Sequence, residues 1–244
     1  MNTNNKPKKI QLSLSKFLAQ SGIASRRKVV DIIKSKVVRV NGAVINEPGF
    51  KVSEHDIICV NNAIVQSEKK IYVLLNKPKN CITTVSDEKD RYNVLDIFAD
   101  VIKERIYPIG RLDRNTTGLL VLTNDGDLAQ RLSHPSFEIE KIYHVRLNKS
   151  FTRKDMQAVR EGVELEDGII CVDEAYYIPQ QTKAYVGVVL HSGKYRVVRR
   201  MFEAFGYEVL KLDRVGYAGL TKTGLAVGAW RHLTQAEVTY LKNR

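Results

Sequence analysis

The chain has 244 residues, 43% of them hydrophobic, and a formal net charge of +12, with a mean hydropathy of −0.25. That length holds one sizeable core and a small appended module, and no apolar run is long enough to span a bilayer. With no signal-like apolar stretch after its basic start, the expectation is a soluble, cytoplasmic protein without a membrane partner.

Cys59, Cys81 and Cys171 are widely separated and form no CxxC pair, and the five histidines have no ligand-like spacing. Neither a disulfide framework nor a metal site is expected. The charge is uneven: between Met1 and Asn41 ten Lys/Arg stand against one acid, Asp31. So concentrated an excess points to a polyanionic partner, because neutralising phosphates releases their counterions.

Residues 1–9 lack apolar periodicity and are expected to be a mobile basic arm. Leu14, Phe17 and Leu18 then recur at helical spacing, and Gly22 closes that helix. Ser25 is a natural N-cap for a second helix, with Val29, Val30, Ile32 and Ile33 on its apolar side. VVRVNGAVI reads as a hairpin turning at Asn41-Gly42. Residues 61–70 have little pattern and are the expected linker. Beyond them IYVLLN and GLLVLTN read as buried strands, and KIYHVRL and AYVGVVL as further strands. DMQAVREG and GKYRVVRRMFEAFG read as helices. A last helix opens at Thr234, with Glu237 three residues on. Strands and helices do not alternate strictly, so the expected class is α+β with a mixed, mostly antiparallel sheet.

Arg26, Arg27 and Lys28 lie in the first turn of the second helix, where cations oppose the helix dipole. A bound phosphate backbone would favour them, and so would plain solvation. The run LSKFLAQSGIASRRKVVDIIKSKVVRVNG resembles the S4 RNA-binding domain, over residues 10–68, and this resemblance implies RNA binding. Residues 69–244 are then expected to form the second domain.

The most informative stretch is YPIGRLDRNTTGLLVLTNDGDLAQRLSHP, 107–135. Asp113 lies between Arg111 and Arg114, whose charge favours an ionised carboxylate, and by its local chemistry alone it could simply satisfy a turn. GRLDxxTxGLL followed by LTNDG resembles the central motif of the RsuA/RluB/RluF family of ribosomal-RNA pseudouridine synthases. Further elements follow the family's order: LNKP around Lys77, Thr83-Thr84, Lys141-Ile142-Tyr143, GKYRVVRRMFE at 193–203 and LxxGxWRxLTxxEV at 225–238.

The resemblance implies an isomerase that turns uridine into pseudouridine in ribosomal RNA, large-subunit RNA by preference, without a cofactor; a monomer is the default expectation. It makes Asp113 the catalytic carboxylate, Tyr143 the ring against the target base, Arg199 the partner of Asp113 and Leu212 an apolar wall. Lys77, Arg111, Arg196 and Arg200 are expected to meet RNA, as are Arg26, Arg27 and Lys28. Two positions depart from the pattern: Asn80 where glycine is usual and Val197 where glutamine is common. The alternative reading is a non-catalytic S4-type ribosome-assembly factor, which would have no need of Asp113, Tyr143 and Arg199 together.

Overall fold

The structure is a computed structural model that describes residues 11–243; the arm expected at 1–9 lies outside them. The chain divides into two compact units, the first ending at Lys70 and the second beginning at Ile71.

In the first unit β1 (Leu12–Ser13) leads into α1 (Leu14–Gln20) and α2 (Arg26–Lys34). Ser13 and Ser25 cap the two helices by accepting from the Lys16 and Lys28 amides, which satisfies donors that a helix start leaves open. Leu14, Leu18, Val29 and Ile33 are fully buried between the helices and the strands. The strands are β2 (Val38–Val40), β3 (Ala43–Val44), β4 (Lys51–Val52), β5 (Ile58–Val60) and β6 (Ala63–Ile64). Four of them form a sheet in the order β3-β2-β5-β6, and β1 pairs with β4.

The β2–β3 turn forms where expected, with Asn41 and Gly42 both at positive φ. Residues 61–70 correct the sequence reading: Asn61 and Asn62 turn the chain at φ 49° and 66°, and Ala63–Ile64 pairs back onto β5. Asparagine tolerates this left-handed region well enough to close a second hairpin. The strand it opens is too short to leave a periodic signal.

The second unit runs β7 (Tyr72–Lys77), β8 (Tyr107–Pro108), β9 (Thr117–Thr123), α3 (Gly126–Ser133), β10 (Lys141–Leu147) and α4 (Arg153–Glu161). It continues through β11 (Val163–Leu165), β12 (Gly168–Ile170), β13 (Glu174–Tyr177), β14 (Tyr185–Leu190) and α5 (Val197–Ala204). It ends with β15 (Val209–Tyr217), β16 (Leu220–Thr221), β17 (Trp230–His232) and α6 (Gln235–Asn243).

Its main sheet has the order β13-β14-β10-β15-β9-β7-β17, and only the β9–β15 pairing is parallel. β7 and β9 read as unbroken apolar runs because both their faces are covered. Leu74, Leu119 and Val121 pack with α3 and α6, while Val73, Leu75, Leu120 and Leu122 pack under residues 81–112. α4 and α5 cover β10 and β14 through Met156, Val159, Val198, Met201 and Phe202. At α6 the capping box is complete, since Thr234 and Glu237 each accept from the other's amide.

Candidate active site

Asp113 sits on the segment joining β8 to β9, and three of the sequence elements converge to hold that segment. The Thr83 hydroxyl donates to Leu112 O (2.9 Å) and accepts from Leu112 N. The Thr116 amide donates to Asp113 O (3.0 Å). From β7, Lys77 Nζ donates to Pro78 O, Cys81 O and, at 3.4 Å, Arg114 O. The carbonyls flanking Asp113 are thus pinned from two sides while its own side chain is left one-third exposed.

Immediately after this segment Gly118 has φ +108°, and a Cβ there would lie under 3.0 Å from the backbone of Arg214. Only glycine allows so close an approach. It lets β9 pair with β15 through Thr117–Asp213 and Gly118–Arg214, which sets the Asp113 segment beside the middle of β15.

β15 and β10 supply the floor of a cleft. Leu212 pairs with Val145, Arg214 with Tyr143 and Tyr217 with Lys141. The register slips twice, between Arg146 and Leu147 and, at the cleft, between Ile142 and Tyr143, where β15 carries an extra residue, Val215; such bulges re-aim side chains. Tyr143, Lys141, Leu212, Arg214 and Tyr217 all line the resulting cleft of about 630 Å³, together with Asp113, Arg111, Thr116, Arg196 and Val197.

Arg199, on α5, completes the arrangement from beneath. Its side chain is 11% exposed, its Nε is 3.9 Å from Asp113 Oδ2, and its Nη1 donates to Val209 O at 2.9 Å. Burial, and then Arg196, hold its pKa below the ordinary arginine value, while Asp113 and Glu203 act the other way. A guanidinium nonetheless remains protonated. In the floor, burial and the neighbouring Arg214 pull the Lys141 pKa down to about 8. Burial pushes the Tyr217 phenol up to about 12, and its hydroxyl donates to Leu132 O.

The expected residues therefore separate into groups. Asp113, Tyr143, Leu212, Arg111 and Arg196 share the cleft, with Arg199 against Asp113. Lys77 does not reach RNA: it is 0% exposed and its ammonium is fully engaged with carbonyls. Arg200 is not in the cleft lining either. It makes a two-pronged pair with Asp167 (2.9 Å and 2.9 Å) and donates to Tyr195 O, because one step along α5 turns it about 100° from Arg199. Arg26, Arg27 and Lys28 are exposed on α2 in the first unit.

Of the two departures, Asn80 has φ 62°, the left-handed conformation that glycine takes freely and asparagine tolerates, so the LNKP loop keeps its turn. Val197 is buried and lines the cleft. Sequence reasoning missed Arg214 and Lys141 as parts of the floor. The signal was the two-residue period that puts Leu212 and Arg214 on one strand face, but it becomes legible only once β15 is known to pair with β10.

Comparison with known proteins agrees with this geometry. A model of the RNA pseudouridylate synthase family matches residues 71–204, and one of the S4 domain matches residues 13–58. The chain is 43% identical to the ribosomal large subunit pseudouridine synthase B of Bacillus subtilis, over 94% of this chain and 95% of that one. It is 37% identical to the protein of the same name from Buchnera aphidicola, over 93% and 96% of the two chains. A crystal structure of a pseudouridylate synthase superposes with a TM-score of 0.66 at 29% identity, covering 94% of this chain and 99% of that one. The chain belongs to the RNA pseudouridylate synthase family, bearing an S4 domain ahead of its catalytic unit, and is an enzyme that isomerises uridine in RNA.

Proposed function

We propose that the protein isomerises chosen uridines of large-subunit ribosomal RNA, with Asp113 as the carboxylate that acts on the ribose. One observation carries this reading: a braced, partly exposed carboxylate, paired with a buried guanidinium, opens into a cleft floored by an aromatic ring and a leucine. The relatives named as large-subunit enzymes support the choice of RNA.

The chemistry detaches uracil from C1′, turns it and rejoins it through C5. The uridine must first swing out of its stack, at a cost of a few kcal/mol. The Tyr143 ring offers a face for the everted base, and stacking returns about 1–3 kcal/mol. Leu212 and Val197 keep the pocket apolar and exclude water that would hydrolyse a sugar intermediate. Asp113 then acts on the sugar as nucleophile or base, and the Arg199 guanidinium beside it keeps it aimed. Arg111 and Arg196, at the cleft, meet the phosphates beside the everted nucleotide. Arg26, Arg27 and Lys28 grip RNA further along.

The test is release of tritium from in vitro transcribed ribosomal RNA carrying 5-³H-uridine. Asp113→Asn should abolish release and leave RNA affinity intact. Undiminished release by that variant would remove Asp113 from the mechanism.

A further inference from the structure

Five buried side-chain polar atoms lack a hydrogen-bond partner among the described residues, and three of them, Thr116 Oγ1, Arg199 Nε and Arg214 Nη2, belong to residues at this one cleft. Buried polar groups are otherwise paired almost without exception. Such a concentration marks a site built for a polar ligand rather than a defect in packing. Arg199 Nε already has a prospective partner in Asp113. Arg214 has none.

Arg214 is 3% exposed in the cleft floor. Its Nε donates to Leu119 O (2.8 Å), and its guanidinium lies over the Tyr217 ring, 4.5 Å from the centroid. Those contacts fix the plane of the group and leave its outer nitrogens uncommitted. Among the described residues it has no ion-pair partner. Its strand neighbour Asp213 is bound instead to Lys222 and Thr117. Directly across from Arg214 on β10 is Tyr143, so any ring stacked on Tyr143 would rest beside a guanidinium that no described acid neutralises.

An everted uracil offers what this group lacks, namely carbonyl oxygens at O2 and O4. They also become more basic during the reaction. When the C1′–N1 bond breaks, its electron pair passes to the ring and is shared by O2 and O4. When C5 joins C1′, the C5 proton leaves to solvent and N1 takes one up. The detached ring is thus an anion whether the sugar is held by Asp113 or loses its C2′ proton. A preorganised donor aimed at such developing charge is the most effective kind of electrostatic catalyst.

We propose, on the strength of the uridine reading of this cleft, that Arg214 is a further catalytic residue that donates to a uracil carbonyl oxygen and stabilises the departing uracil anion.

The experiment compares full-length wild type, Arg214→Met and Arg214→Lys on RNA carrying uridine or 5-fluorouridine at the target. Fluorine withdraws electrons and makes the ring a better leaving group, so it needs the guanidinium less. Cleavage of uridine by Arg214→Met should fall on the order of 10²-fold in kcat, with RNA affinity held within about twofold. With 5-fluorouridine the same variant's defect should shrink to less than about tenfold, and Arg214→Lys should lie between Met and wild type. The ratio of the two substrates is taken within one preparation, so partial unfolding cancels. Equal defects on both substrates would overturn the inference and leave Arg214 a structural residue. Reduced RNA affinity and a shallower salt dependence with kcat unchanged would overturn it in favour of a phosphate contact. Wild type inactive on every ribosomal RNA would sink the uridine reading as well; active wild type with unimpaired Arg214 variants would sink this inference alone.

Discussion

Oδ2 of Asp113 stands 3.9 Å from Nε of Arg199, a separation too wide for a hydrogen bond, and that buried Nε donates to no other atom among the described residues. A buried donor left open is worth about 1–3 kcal/mol of destabilisation. Narrowing the gap by less than an ångström would recover that energy, and catalytic hydrogen bonds commonly tighten when substrate binds.

Replacing Arg199 by lysine keeps a cation but not the Nη1 bond to Val209 O that aims the group. Misplacing a reacting group by an ångström can cost about 10²-fold. Arg199→Lys should therefore lower kcat for tritium release by roughly that factor, with RNA affinity near wild type. Lost affinity with an unchanged kcat would instead place Arg199 among the RNA contacts.

Lys77 makes a prediction about stability. Burial, opposed by Cys81 and Asp113, pulls its pKa from 10.5 down to about 8. Below the folded value the ammonium is charged in both states. Between the two values the unfolded chain holds a proton that the folded chain does not. Stability should therefore rise with pH across that window, and the similarly lowered Lys141 adds in the same direction. Urea unfolding from about pH 8 to about pH 10 should show a steeper rise in wild type than in Lys77→Met. A variant that keeps the wild-type slope would show that Lys77 is not the titrating group.

Much of this architecture is legible in the residues, and the illegible part has a physical pattern. Caps, the Asn41-Gly42 turn and the apolar strands are local, so Ser25, Thr234 and the run at 119–122 announce themselves. The site is made by pairing between strands far apart in sequence. Thr83 and Lys77 brace the Asp113 segment across separations of 29 and 37 residues, and the sequence offered them only as members of a motif. Arg200 was misplaced because charge alone does not say which cations are already neutralised; Asp167, its partner, is 33 residues away on an unremarked turn.

That correction has a consequence for RNA binding. Arg200 is held by Asp167 on both prongs, so Arg200→Ala should change neither RNA affinity nor its salt dependence by a measurable amount. Arg26 and Arg27 are exposed at the start of α2 and have no acid partner among the described residues. Their double replacement by alanine should lower the salt slope of binding by about two phosphate contacts, roughly 0.7–0.9 per contact. Filter binding across a salt series reads both effects. An equal fall for Arg200→Ala would mean that RNA opens the Asp167 pair.

Gly118 and Gly206 offer a controlled test of how tightly the Asp113 segment is tied to β15. Both have positive φ, +108° and +71°. A Cβ at Gly206 would meet nothing within 4 Å, whereas at Gly118 it would lie under 3.0 Å from the Arg214 backbone. Alanine at Gly206 should therefore show only the conformational penalty, about 1 kcal/mol. Alanine at Gly118 adds a clash with the Arg214 backbone and the Asp213 carboxylate, both on β15, which can be relieved only by parting β9 from β15. Its penalty should exceed that at Gly206 by at least about 2 kcal/mol in denaturant unfolding. The fraction that stays folded should also lose tritium release, because parting these strands carries Asp113 away from Leu212 and Arg214, while Gly206→Ala retains wild-type kcat. Equal penalties at the two sites would mean that β9 and β15 do not approach as closely as the cleft requires.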